Sequence, residues 1–166
     1  MKIIGIMAST DSGVIGLNSK IPWRYTDELE HFQKVTKGQT VIMGRKTFNE
    51  MENLKLLEER KSVVFTRSPL LLNKNTTNIR FVNSLNAFTK LNFIQEKKIY
   101  MIGGSEIAEL FLKNNMLEKF LLTKIHKEYD GDTYFPLSLI KEWRTEKIIE
   151  NKNYTIYQYK PVTKIK

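Results

Sequence analysis

Val41-Ile42-Met43-Gly44-Arg45-Lys46-Thr47 is the stretch that decides the fold class of this chain. Its apolar residues suit a buried strand, Gly44 permits a tight turn, and the residues that follow suit the start of a helix. The stretch Ile99-Tyr100-Met101-Ile102-Gly103-Gly104-Ser105-Glu106-Ile107 repeats this order of strand, glycine and helix. Two such transitions are typical of a parallel sheet that is covered by helices.

The same alternation extends outward along the chain. Apolar runs predict buried strands at 2–8, 40–43, 62–66 and 98–102, with helices near 27–36, 46–52, 85–92 and 105–113. In the last third of the chain, alternating apolar and polar residues predict antiparallel strands at 118–126, 133–135, 142–150 and 153–160. Turns are predicted at Asp130-Gly131-Asp132 and Glu150-Asn151-Lys152-Asn153, and a polar surface loop is predicted earlier in the chain, at 73–78. We therefore predict an α/β fold with a central mixed, mainly parallel sheet, flanking helices and an antiparallel C-terminal hairpin.

The length of 166 residues predicts a single domain over residues 1–166. No basic segment followed by an apolar run opens the chain, and no apolar stretch is long enough to span a bilayer, so we expect a cytoplasmic protein without a membrane partner. The absence of cysteine excludes disulfides and thiolate chemistry. The two histidines are too isolated for a metal site; we expect His31 to be an exposed helix residue and His126 a structural one.

The net charge of +9 leaves three interpretations open: a nucleic-acid binder, an enzyme for polyanionic small molecules, or a merely solvated basic surface. The lysines are scattered, and no basic run alternates with aromatic residues. This pattern disfavours a nucleic-acid partner, and we expect none.

Glu28 is the most informative single acid. It follows the loop Val14–Trp23, whose Ile21-Pro22-Trp23 corner leads into the predicted helix 27–36. At about 100° per residue it shares an arc of roughly 120° with Leu29, Phe32 and Val35, whereas Asp27, Glu30, His31 and Lys34 fall outside it. We therefore predict an inward carboxyl with a raised pKa, suited to proton transfer. The alternatives are an ion pair with an Arg or Lys, or a place in water at the edge of the stripe. For Thr26 and Asp27 we predict helix capping.

Three strand ends have the chemistry of a phosphate site. Gly44 precedes Arg45, Lys46 and Thr47, Thr66 and Arg67 follow another predicted strand, and Gly103-Gly104 opens a third transition. Neither a Walker A loop nor a G-x-G-x-x-G pattern is present, and each glycine turn alone is also compatible with a tight connection. Around one dianionic phosphate, these cations favour a cofactor that carries an extra phosphate over one with a free ribose hydroxyl.

Taken in order, these motifs resemble the dihydrofolate reductase family over nearly the whole chain. The motifs that carry the resemblance are Gly13-Val14-Ile15-Gly16, Ile21-Pro22-Trp23, Glu28, Val41-Ile42-Met43-Gly44-Arg45-Lys46-Thr47-Phe48, Arg60-Lys61, Ile102-Gly103-Gly104, Thr123 and Gly131-Asp132-Thr133-Tyr134-Phe135-Pro136. The resemblance implies an eight-stranded mixed sheet, a cis Gly103–Gly104 peptide, and NADPH-dependent reduction of 7,8-dihydrofolate to 5,6,7,8-tetrahydrofolate, with hydride transfer to C6 and protonation at N5.

The resemblance also implies roles for single residues on the substrate side. Glu28 would bind the pterin N3 and 2-amino group and support protonation at N5, with Trp23 and Thr123 as the other catalytic positions and Thr123 hydrogen-bonded to the acid. Arg60 would pair with the α-carboxylate of the substrate. The pocket would be lined by Met7, Ala8, Leu29, Phe32, Met51, Leu57 and Ile102, with Leu54 and Leu56 as the alternatives to Leu57.

On the cofactor side, the resemblance implies a nicotinamide end, a phosphate and adenosine end, and a loop, residues 16–20, that closes over the nicotinamide. These NADPH-binding positions are Ala8, Ile15, Gly16, Asn18, Ile21, Gly44, Arg45, Lys46, Thr47, Phe65, Thr66, Arg67, Ile102, Gly103, Gly104, Ser105, Glu106, Ile107 and Thr133.

The chain departs from the family at Ala108, where an aromatic residue is usual, and in the longer segment 52–59. An altered response to antifolates is therefore a hypothesis. We expect a monomer that binds dihydrofolate and methotrexate, with trimethoprim as a further candidate ligand. The alternatives are another reductase of the same fold, such as the pyrimidine reductase of riboflavin synthesis, and a non-catalytic basic binding module.

Overall fold

The computed structural model describes residues 2–92 and 98–163. Its strands are β1 Ile3–Thr10, β2 Val14–Gly16, β3 Thr40–Gly44, β4 Lys61–Phe65, β5 Ile79–Val82, β6 Ile99–Gly103, β7 Lys119–Ile125, β8 Thr133–Tyr134, β9 Arg144–Glu150 and β10 Tyr154–Lys160. Its α-helices are α1 Thr26–Thr36, α2 Arg45–Asn53, α3 Pro69–Leu72, α4 Leu85–Thr89 and α5 Ser105–Lys113, and a 3₁₀ turn spans Leu137–Leu139. The single domain over 1–166 stays a prediction.

The main sheet has eight strands in the order β5-β4-β3-β6-β1-β7-β10-β9. The pairs from β5 to β7 are parallel, and β10 runs antiparallel to both β7 and β9. The predicted mixed, mainly parallel sheet and its antiparallel C-terminal hairpin are therefore confirmed. The hairpin turn is fixed by the Asn151 side chain, whose Oδ1 accepts hydrogen bonds from the amides of Asn153 and Tyr154 at 2.9 and 3.0 Å.

Two apolar clusters cover the two faces of the sheet. On one face, Phe65, Phe88 and Phe111 pack together with ring centroids 5.6–6.0 Å apart. On the other face, Val41, Met43 and other buried residues pack against α1 and α2. Because β3, β4 and β6 are covered on both sides, their sequences are continuously apolar, as the prediction assumed. No helix of the described residues is long and apolar enough to cross a bilayer.

Several local predictions differ from the structure. The prediction omits β2, α3 and β5, because segments of three or four residues carry too little periodicity to detect. The predicted helix 85–92 ends at Thr89. The turn Asp130–Asp132 does not join two paired strands, since β7 pairs with β10 and β8 pairs with β2. The loop 73–78 is exposed, as predicted.

Candidate active site

The cover of the sheet is incomplete towards the carboxyl end of β1, the strand near its centre, and we call this opening the cleft. Ile3, Ile4 and Ile6 of β1 are buried. Met7 and Ala8 of the same strand are only partly buried, even though both pair with residues of β7. Met7 and Ala8 point to opposite faces of β1, so the sheet is incompletely covered on both sides at this point, and parallel sheets bind ligands at this edge. Met7 also faces the β6 end, because a side chain on Gly103 would come within 2.9 Å of its Cε.

Glu28 lies in the first turn of α1, and its side chain is mostly removed from water. Burial raises the pKa of its carboxyl to about 7, and the neighbouring Asp27 carboxylate acts in the same direction. Within residues 2–92 and 98–163, no lysine, arginine or histidine forms an ion pair with it, which removes the predicted alternative of a salt bridge. The predicted raised pKa is confirmed, and the carboxyl can carry a proton near neutral pH.

The surroundings of Glu28 are built by three strands and the Pro22-Trp23 corner. Trp23 is 5% exposed and packs with Ala8, Tyr154 and Ile156. Burial raises the pKa of the Tyr154 hydroxyl, and the charges of Asp27 and Glu28 add to this, which places that ring beside both acids. Thr123 is buried and in register with both Ala8 and Ile156. In the described part of the chain it makes no direct hydrogen bond to Glu28, so the predicted contact stays a prediction.

The remaining predicted pocket residues gather on the same side of the sheet. Met51, Leu57 and Ile102 are buried in one cluster, with Phe32 and Val35 of α1 packed against it. Leu56 is also buried there, whereas Leu54 is 51% exposed. Of the three leucines considered for the pocket wall, Leu54 is therefore the one that does not pack into the cluster.

Two predictions for α1 are wrong and share one cause. Leu29, predicted to face inward, is 38% exposed, and His31, predicted to be exposed, is half-buried with its Nε2 unpartnered in the described structure. The helix docks on the side of Phe32 and Val35, which turns Leu29 to the rim and His31 inward. Burial accordingly lowers the pKa of His31.

The predicted capping of α1 is also only partly correct. Tyr25 occupies the N-cap position, and among the described residues no side chain of this position caps the helix, so Thr26 is not the cap. The Asp27 Oδ1 accepts the amide hydrogen of Glu28 at 3.1 Å. His126 is structural, as predicted, since its ring joins Lys152 O and Thr155 Oγ1 at 3.0 and 2.8 Å.

Arg60 holds a fixed guanidinium beside the C-terminal half of α1. Its Nε donates to Thr36 Oγ1, its Nη1 to Glu58 O and its Nη2 to Gln33 O, at 3.0, 2.9 and 3.0 Å. A guanidinium has five N–H donors, so one hydrogen on each Nη remains for a ligand. The side chain borders a surface groove of about 550 Å³. A pre-oriented fork of this kind suits a carboxylate.

The N-termini of α2 and α5 meet at the opposite end. A side chain on Gly44 would place its Cβ 3.2 Å from Cγ1 of Ile107, and one on Gly104 would lie 3.3 Å from Thr47 Oγ1. Both glycines are N-cap residues without a side-chain hydrogen bond, so the first-turn amides point outward uncapped. Two convergent helix starts with bare backbone fit the phosphates of a dinucleotide. The Gly103–Gly104 peptide is cis, as the resemblance implies.

Further residues predicted to bind the cofactor lie around these helix starts. Arg45 and Lys46 are exposed, Thr66 is buried, and Phe65 belongs to the core. Arg67 pairs with Glu106, which joins the end of β4 to the start of α5. Ser105 Oγ donates to Tyr134 O at 2.5 Å, and this bond brings Thr133 and β8 to the same end of the cleft.

The loop between β2 and α1 is anchored by two hydrogen bonds, one to the segment before β8 and one to α2. The amide of Asn18 donates to Asp132 Oδ2 at 3.0 Å, and the amide of Ile21 donates to Glu50 Oε1 at 3.1 Å. Asn18 has a positive φ of 51°. Ile15 is partly buried in the core below the loop, and Ile21 is 41% exposed at the cleft. No local sequence pattern pointed to Glu50, because its contact depends on a residue 29 positions away.

Ala108 is fully buried within the aromatic core cluster. We predict that Ala108→Tyr destabilises the protein by about 1–3 kcal/mol, because a ring must displace well-packed neighbours. Thermal unfolding should show a Tm lower by about 2–10 °C for a chain of this length. An unchanged Tm would show that the core accepts the ring without repacking.

A second prediction concerns the stability of Glu28→Gln. The folded-state pKa of Glu28 lies above its ordinary value of 4.5, so ionisation on raising the pH to about 7 destabilises the native state. We expect the glutamine variant to match the wild type at pH 4.5 and to exceed it by about 2–3 kcal/mol at pH 8. Urea unfolding at both pH values measures this; a difference that does not change with pH would contradict it, and Glu30→Gln is the exposed control.

Comparison with known proteins points to the same family that the sequence motifs resemble. The sequence model of the dihydrofolate reductase family matches residues 2–164. The dihydrofolate reductase of Lactococcus lactis is 37% identical over 134 residues, covering 81% of this chain and 77% of that protein. That of Staphylococcus haemolyticus is 33% identical over 144 residues (87% and 82%), and the type 8 enzyme of Escherichia coli is 33% identical over 168 residues (96% and 96%).

Proposed function

The chain belongs to the dihydrofolate reductase family, and we propose that it reduces 7,8-dihydrofolate to 5,6,7,8-tetrahydrofolate with NADPH as the hydride donor. One observation supports this most strongly. An unpaired, largely buried carboxyl with a pKa of about 7 lies in the first turn of α1, and the fixed guanidinium of Arg60 is hydrogen-bonded to Gln33 and Thr36 near the other end of the same helix. Protonation of a ring nitrogen near neutral pH needs such an acid.

Different residues along the cleft bind different parts of the substrate. Glu28 binds the amino group and N3 of the pterin and holds the proton that N5 receives. Phe32, Met51 and Leu57 cover the aromatic part of the substrate, and Arg60 takes its α-carboxylate with the two N–H groups left on its Nη atoms. When bound, the nicotinamide cofactor supplies the hydride that C6 accepts.

The N-termini of α2 and α5 bind the cofactor, and the loop between β2 and α1 covers the reacting rings. The amides of α2 and α5 hold the phosphates of the dinucleotide, with Arg45 and Lys46 beside them. The Leu17–Ile21 segment, held by Asp132 and Glu50, excludes water from the reacting rings. Within residues 2–92 and 98–163, no three His, Cys, Asp or Glu side chains are grouped to hold a metal ion.

The test is loss of NADPH absorbance at 340 nm that depends on both enzyme and dihydrofolate. A reaction without dihydrofolate is the control. Turnover of the ribitylated pyrimidine of riboflavin synthesis, with none of dihydrofolate, would establish the alternative reductase instead. Absence of both reactions together with binding to nucleic acid would favour the basic binding module.

We further propose that the protein is a cytoplasmic monomer of one domain that binds methotrexate at the pterin site. Because Ala108 stands where the family usually has an aromatic residue, trimethoprim affinity is best compared between the wild type and Ala108→Tyr. Equal affinities would remove Ala108 as a determinant of the antifolate response.

A further inference from the structure

We propose that Glu106 controls the choice between NADPH and NADH, because its carboxylate engages Arg67, the cation that the 2′-phosphate of NADPH would otherwise use. This inference rests on the proposed dinucleotide site. Arg67 and Glu106 would lie at the adenosine end of that site, far from the reacting rings.

The contact itself is direct. Nη2 of Arg67 lies 3.1 Å from Oε2 of Glu106, and the two side chains are 90% and 83% exposed. Arg67 follows β4, and Glu106 lies in the first turn of α5, immediately after the Gly103–Gly104 turn. The Arg67–Glu106 pair therefore lies at the edge of the proposed dinucleotide site at the N-termini of α2 and α5. Both side chains are accessible to a ligand.

Nucleotide chemistry gives the two partners opposite preferences. An acid at the adenosine ribose of a dinucleotide site accepts hydrogen bonds from free hydroxyls, whereas an arginine there accommodates a 2′-phosphate. In this chain, both groups are present and bound to each other. A dianionic phosphate must share Arg67 with a carboxylate, while a free ribose hydroxyl meets an acceptor.

Two other cations keep the site compatible with NADPH. Arg45 and Lys46 are exposed at the start of α2, and neither forms an ion pair among the described residues. The expected result is weak discrimination. We expect the Kd for NADH to exceed that for NADPH by less than about tenfold, because exposed charges are strongly screened.

The test uses ligand binding, so that it does not depend on turnover. Adenosine 2′,5′-bisphosphate and adenosine 5′-monophosphate differ only in the 2′-phosphate, and their Kd values can be measured by calorimetry at low and high salt. The variants are Glu106→Gln, Arg67→Gln and the double variant. Glu109→Gln is the matched control, because Glu109 lies on the same helix and pairs with Lys113.

Glu106→Gln should tighten the bisphosphate about fivefold at low salt, with little change for the monophosphate, and the gain should shrink as salt rises. In the Arg67→Gln background the same change should give less than about a twofold gain, since the competition for Arg67 is gone. The ratio of kcat/KM for NADPH and NADH should move in parallel, through KM.

Three outcomes would overturn the inference: no change in discrimination with Glu106→Gln, an equal gain with Glu109→Gln, or a full gain in the absence of Arg67. If any of these occurs while dihydrofolate is still reduced, the specificity role fails and the proposed function stands. If neither adenosine nucleotide binds the wild type, the dinucleotide site itself is wrong, and both proposals fail.

Discussion

Glu28→Gln should lower kcat for dihydrofolate at pH 7 by about two to four orders of magnitude, the usual contribution of a positioned acid. Glutamine retains the size and the hydrogen-bonding reach of the side chain but cannot carry the proton. Steady-state rates between pH 5 and 9 measure the effect. In the wild type, with the pKa of Glu28 at about 7, the rate should fall about tenfold per pH unit above that value; in the variant this dependence on Glu28 should vanish.

Two neighbouring acids separate proton transfer from a general effect of charge. Glu30 lies two residues further along the same helix and is exposed, so Glu30→Gln should leave kcat within about twofold of the wild type. Asp27 raises the pKa of Glu28, so Asp27→Asn should move the pH dependence of the rate to lower pH without abolishing the activity. A loss in Glu30→Gln equal to that in Glu28→Gln would refute the assigned role.

The sequence contained the information for the inward carboxyl, but not for the orientation of the whole helix. Periodicity places Glu28, Phe32 and Val35 on one face, and this part is correct. It cannot tell where the centre of the buried face lies, because that depends on the residues that meet α1 from the sheet. When the helix is rotated by about 40° relative to the predicted arc, His31 takes the place of Leu29 on the buried face. Apolarity alone favours Leu29 at that place, and this is the wrong residue.

Contacts between distant segments account for most of what was missed. The proposed phosphate site could be predicted from strand ends that carry glycine and cations, because both features are local and a parallel sheet brings such ends together. The ion pair of Arg67 and Glu106 spans 39 positions, and the bond from Ile21 to Glu50 spans 29. Neither has a local pattern, so only the folded chain shows which acid meets which partner.

The second large effect is expected at Arg60. Arg60→Gln should raise KM for dihydrofolate by about 10- to 150-fold, the value of a charge-assisted hydrogen bond to a carboxylate, while kcat at saturation changes little. The reason is geometric: Thr36 Oγ1, Glu58 O and Gln33 O hold three of the five donors and aim the other two outward. Arg60→Lys should recover only part of the affinity, because an ammonium group lacks the planar fork.

The internal hydrogen bonds of Arg60 also support α1, so its role in binding must be separated from its role in stability. A dihydropterin without the glutamate tail provides this separation. Its KM should be the same in wild type and Arg60→Gln, whereas a distorted cleft would weaken both substrates equally. Lys55→Gln is the charge control, since this exposed cation borders the same groove and should change KM for dihydrofolate by less than about threefold. An equal loss for both substrates would assign Arg60 to the fold rather than to the substrate.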